Sequence, residues 1–177
     1  MKESEYKVFF VSFTIQGVDK KLTYRVNHEN CRMLRNVLCN QNKEKMIMLN
    51  PLIFETSDDL TVIINPCFIV YVNFLWEPLK DHSDVDAPDL EPEQLRIFVG
   101  GENKPLTIGI GDKSDFCNFM NVLTSYRELN GFSFFKDADE EDVSFNLSML
   151  KVLEVGTTFY AECEAAFADA HTPILDD

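Results

Sequence analysis

Two stretches, Lys21-Leu22-Thr23-Tyr24-Arg25-Val26 and Pro105-Leu106-Thr107-Ile108-Gly109-Ile110, decide how this chain is read. Both alternate apolar and polar residues, the period of a half-buried strand. Each follows a glycine-containing turn, Gln16-Gly17-Val18-Asp19 in the first case and Gly100-Gly101-Glu102-Asn103 in the second. Each turn follows another strand-like run, at 8–15 and 95–99. Each half of the chain therefore opens on a β-hairpin.

Working outward, a helix follows both hairpins. In the first half Asn27 or Asn30 can cap it, and Cys31, Leu34, Val37 and Leu38 form an apolar stripe. In the second, Asp112 or Ser114 can cap, and Phe116, Phe119, Met120 and Leu123 form the stripe. Spacings of three, four and seven mark one helical face. Both helices contain Asn-Val-Leu, at 36–38 and 121–123. Strands at 45–54 and 132–135 come next, then acidic turns, Ser57-Asp58-Asp59 and Glu140-Glu141-Asp142. The runs 60–64 and 143–147 follow, and each half closes on an apolar run, 68–74 and 149–155. The offset between equivalent residues stays near one value: 84 for Leu22 and Leu106, 85 for Val37 and Val122, 83 for Val72 and Val155.

The expected fold is α+β: two tandem pseudo-repeats of ββαβββ type, each an antiparallel sheet with one covering helix, plus a C-terminal helix. The units are 1–76 and 94–177, packed as one body. Phe132, Phe134 and Phe135 are expected to supply much of the second core. The C-terminal helix is expected over 157–170, with Phe159, Cys163, Ala166 and Phe167 at helical spacing. Between the units, 77–93 holds seven acids, one base and three prolines, the composition of an extended or mobile linker.

The chain has 177 residues, 45% of them hydrophobic and 26% charged, which suits a globular protein able to bury a core. No window approaches a membrane span, and the N-terminus lacks the long apolar stretch of a secretory signal. Five cysteines, Cys31, Cys39, Cys67, Cys117 and Cys163, are widely spaced with no CxxC, so all five are expected as reduced thiols in a cytoplasmic protein.

No catalytic, cofactor or metal signature emerges. The run 137–142 resembles a cation loop, but an EF-hand needs Gly sixth and Glu twelfth, and those positions hold Asp142 and Ser148. It reads as a solvated strand-to-strand turn. His28 lies three residues before Cys31, which reads as a loop histidine beside a core cysteine rather than a base and nucleophile. Neither His82 nor His171 lies on a rigid element. Gly100-Gly101 lacks the spacing of a phosphate loop and reads as a hairpin turn.

Charge is the remaining guide. The net charge is −14. Residues 1–76 hold nine bases and eight acids, 77–93 one base and seven acids, and 94–177 six bases and fifteen acids. The first unit is balanced, while the linker and second unit form an acidic block. Such a block repels nucleic acid and anionic membranes and attracts a basic protein. Without catalytic residues, the chain fits a non-enzymatic protein-binding module, a stoichiometric inhibitor of the immunity-protein or nucleic-acid-mimic kind. The candidate contact residues are Trp76, Asp81, Asp84, Asp86, Asp89, Glu91, Asp137, Asp139, Glu140, Glu141 and Asp142. The alternative is a self-associating scaffold, a homodimer for example, since sheet edges in such units pair between chains. A third reading is an enzyme using carboxylates between the units.

Overall fold

The structure is a computed structural model that describes residues 7–39, 51–78, 90–125 and 131–170. Its elements run β1 (Lys7–Ile15), β2 (Leu22–Val26), α1 (His28–Cys39), β3 (Leu52–Glu55), β4 (Leu60–Ile64), β5 (Ile69–Pro78), β6 (Gln94–Val99), β7 (Leu106–Gly109), α2 (Lys113–Ser125), β8 (Phe132–Lys136), β9 (Asp142–Asn146), β10 (Leu150–Gly156) and α3 (Thr157–Ala170). A single 3-10 turn precedes each of β5 and β10. Among the described residues the chain is thus mixed α+β, with antiparallel sheets and three α-helices, the last of them toward the C-terminus. Among the described residues no helix is long and apolar enough to cross a membrane.

Local chemistry sets these elements. The Asn27 side chain accepts a hydrogen bond from the Asn30 amide at 2.7 Å, so Asn27 is the cap of α1. Asp112 caps α2, its carboxylate accepting from the amides of Ser114 at 2.8 Å and Asp115 at 3.2 Å. Such caps contribute about 1 kcal/mol each. The 3-10 turns are held alike, with Asn65 accepting from the Cys67 amide and Asn146 from the Ser148 amide, both at 3.1 Å.

The strands form sheets ordered β2-β1-β5, β3-β4-β10-β6-β7 and β8-β9. In the first, Val11 opposes Phe74 and Phe13 opposes Val72, with a register shift between Thr14 and Ile15. In the second, Leu95 opposes Val155 and Ile97 opposes Leu153, with a shift between Leu150 and Val152. The sequence reading gave each half its own sheet. Hairpin β3–β4 instead leaves the first half and lays β4 against β10. The reason is visible in Leu60-Thr61-Val62-Ile63-Ile64, which is buried at all five positions. A strand apolar on both faces needs cover on both, so it takes an interior place.

The five-stranded sheet carries a core on each face. Val62, Ile64, Phe98 and Val152 join the first half's Phe13, Tyr24 and Leu34. Ile63, Ile97 and Leu153 join α2, α3 and the β8–β9 hairpin. In that second core Phe116, Phe119, Phe135, Phe145 and Phe159 pack together, mostly tilted or edge-to-face, with neighbouring ring centroids 5.2–6.1 Å apart. Each buried ring contributes roughly 1.5–3 kcal/mol.

Three expectations are corrected. Phe132 and Phe134 do not enter the core but stand 74% and 61% exposed. Side chains alternate across a strand, so burying Phe135 with Ser133 sends Phe132 and Phe134 outward. In α3, Phe159, Tyr160 and Cys163 are buried, while Ala166 and Phe167 are exposed, so its first two turns do the packing. Cys117 and Cys163 are joined in a disulfide with Cα atoms 4.8 Å apart, so not all five cysteines are thiols. Facing helices bring together residues 46 apart in sequence, which no local spacing announces. Most of the expected linker, 79–89, lies outside the described residues.

Candidate functional site: an acidic cleft

Two tight turns and a helix start surround a highly charged cleft. The β3–β4 turn supplies Asp58 and Asp59. Thr56 Oγ1 accepts from the amides of Asp58 at 3.2 Å and Leu60 at 3.1 Å, and Asp59 adopts φ 58°, which a short polar side chain tolerates. The segment before β6 supplies Glu91 and Glu93, held by a backbone bond from Gln94 to Glu91 at 3.0 Å. The start of α3 closes the wall, where the Thr157 amide donates to the Asp59 carbonyl at 2.9 Å.

The cleft encloses about 480 Å³ and is lined by Asp58, Asp59, Glu91, Glu93, Glu162 and a single base, Lys113. Lys113 forms an ion pair with Glu162 and lies 5.3 Å from the centre of the Phe159 ring. Among the described residues the other four carboxylates have no ion-pair partner. The wall therefore presents negative charge that nothing described here neutralises. Among the described residues no group of three or more His, Cys, Asp or Glu side chains could hold a metal ion.

Of the residues singled out in the sequence, Glu91 lines this cleft. Asp137, Asp139, Glu140, Glu141 and Asp142 lie elsewhere, on the β8–β9 turn. Asp137 is spent in building that turn: its carboxylate accepts from the amides of Asp139 and Glu141, both at 3.0 Å. Asp139, Glu140, Glu141 and Asp142 are exposed. The backbone of Trp76 sits in β5 opposite Phe9. Asp81, Asp84, Asp86 and Asp89 lie outside the described residues. Asp58, Asp59, Glu93 and Glu162 also line the cleft but do not stand out as candidates in the sequence. The acidic turn Ser57-Asp58-Asp59 is the signal that could have found two of them.

Other titratable groups serve packing. Glu154 is fully buried on β10, and its carboxylate bonds the Tyr24 hydroxyl of the first half and the Arg96 guanidinium of β6. Burial, then the charge and hydrogen bond of Glu154, hold the Tyr24 hydroxyl well above its ordinary range, against a smaller opposing pull from Arg96. Both Glu154 oxygens are occupied, so the triad is a tie between two sheets. Lys151, also buried, donates to the Gly17 carbonyl at 3.2 Å. Burial raises the Cys31 thiol, with Arg35 pulling it partly back, and His28 instead lies 5.1 Å from the Phe9 ring. A raised thiol is a poor nucleophile. A smaller cavity of about 180 Å³ lies between α2 and α3 beside the disulfide. There the Tyr160 hydroxyl is raised by burial and by its 2.8 Å hydrogen bond to Glu164.

No family model, no curated protein and no solved structure matches the chain.

Proposed function

We propose that this chain is a non-enzymatic, acidic protein-binding module, a cytoplasmic stoichiometric inhibitor of a basic protein partner. The observation that carries the reading is the cleft, whose four carboxylates without ion-pair partners face solvent around one already paired lysine. Such a surface steers a cationic protein toward it and repels phosphate backbones and anionic lipid.

We also infer that the scaffold is one ββαβββ unit used twice, 1–76 and 94–177, packed as one body. The pairings support this. Moving β1 by 84 residues and β5 by 81 turns Val11–Phe74 into Leu95–Val155 and Phe13–Val72 into Ile97–Leu153. The same shifts carry the register break at Thr14/Ile15 to its counterpart. A shift of 81 turns Phe54–Val62 into Phe135–Val143, the Asn65 cap into Asn146, and the left-handed Asp59 into Glu140.

The test is affinity capture from the native host at about 50 mM and about 500 mM salt. The bait is compared with a variant carrying Asp58→Asn, Asp59→Asn, Glu91→Gln and Glu93→Gln. A basic protein held at low salt, lost at high salt and lost by the variant supports the reading, as does inhibition of that protein at equal stoichiometry. Equal capture by both baits at both salt levels overturns the role of the cleft.

A further inference from the structure

The geometry points to a second copy of this chain as the occupant of the open edge of β5, with β9 of one copy pairing antiparallel to β5 of the other. The inference rests on the duplication proposed above and carries it across the chain boundary. Inside the chain, the hairpin of the first half docks on the closing strand of the second. Val152 opposes Ile64, Leu153 opposes Ile63 and Gly156 opposes Leu60. The Asn65 amide extends this ladder, donating to the Lys151 carbonyl at 2.9 Å.

Applying the 81-residue shift to both strands gives the matching joint between the other hairpin and the other closing strand. Phe145 then opposes Tyr71, Ser144 opposes Val72 and Asp142 opposes Phe74. Among the described residues β5 pairs only with β1, and β9 only with β8. Among the described residues, both sides of this second joint are therefore open.

Burial shows what each open side lacks. Residues 150–155 of β10 are all buried, with β4 against their far edge. Their counterparts in β5 include Val70 at 66% exposure and Tyr71 at 53%. The strand Ile69–Pro78 carries no lysine or arginine to guard its edge, although an exposed apolar edge invites pairing. On the hairpin side, exposed Phe134 is the counterpart of Ile53, which packs against the second core. Docked in the same way, Phe134 would cover the partner's first core beside Val72 and Phe74. Each chain offers one β5 and one β9, so the contact is head-to-tail: two copies close into a ring or further copies extend it.

The test mixes two variants, Val72→Cys and Ser144→Cys, both in a Cys39→Ser, Cys67→Ser background that leaves Cys31 buried and Cys117 joined to Cys163, under mild oxidation. The expected result is a covalent species of twice the chain mass in the mixture and none with either variant alone. Light scattering should show association that rises with concentration and is lost in Tyr71→Lys. Cross-linking of Val72→Cys by itself would mean that β5 meets β5, which overturns the proposal. A chain that stays monomeric at its highest soluble concentration also overturns it, yet leaves the duplication standing on its internal registers. The duplication fails separately, if an experimental structure gives β1–β5 and β6–β10 different registers.

Discussion

Strand β10 runs between β4 and β6, with the first core on one face and the second on the other. Strand β5, which takes the corresponding place beside β1, has a neighbour on one side only among the described residues. The composition of each strand follows from that difference. A strand enclosed on all sides can hold Glu154 and Lys151 only because Tyr24, Arg96 and the Gly17 carbonyl satisfy them. A strand with an open edge needs no such partners, and β5 carries Asn73 and Val70 at the same places. On the proposed duplication, one backbone pattern serves as a tie in one half and, among the described residues, as an edge in the other.

The largest expected effect comes from breaking the tie. Glu154→Ala leaves the Tyr24 hydroxyl and the Arg96 charge unpaired and should cost roughly 3–5 kcal/mol in urea unfolding. The counterpart Asn73→Ala should cost about 0.5 kcal/mol or less. Equal costs would erase the distinction between the strands. Next, Cys117→Ser opens the link between α2 and α3, which only the second half possesses, and should cost about 2–4 kcal/mol. It should leave any association through β5 unchanged.

Tyr24 adds a pH signature. Its hydroxyl is raised in the folded state, so the folded chain holds that proton longer than the unfolded one. The stabilisation is fully present below pH 10, the ordinary tyrosine value, and is lost as pH climbs beyond it. Stability measured across alkaline pH should therefore fall more steeply for the wild type than for Tyr24→Phe. Val70→Lys should have the smallest effect on stability, within about 0.5 kcal/mol, while abolishing association.

Much of the fold could be read from short-range signals. Alternation gave the hairpins, and capping chemistry gave the helix starts, at Asn27 of the pair Asn27 and Asn30 and at Asp112 of the pair Asp112 and Ser114. What escaped depends on partners far away in sequence. The pairing of β4 with β10 joins residues about ninety apart, and only β4's apolar character on both faces hinted at it. A run such as Phe132-Ser133-Phe134-Phe135 fits two opposite orientations, and the core chooses between them. The disulfide and the cleft have the same origin. Cys117 meets Cys163 only after α2 and α3 have packed within the second half, and Asp58, Glu91 and Glu162 meet only after the two halves have packed.

The claim that β5 is an open counterpart of β10 is tested most directly by amide hydrogen exchange measured strand by strand at low and high protein concentration. Amides of β10 should be protected equally at both. Those of β5 that point away from β1 should exchange quickly in dilute solution and gain protection, together with the outward amides of β9, as concentration rises. Exchange from β5 and β9 that is the same at every concentration would contradict the account.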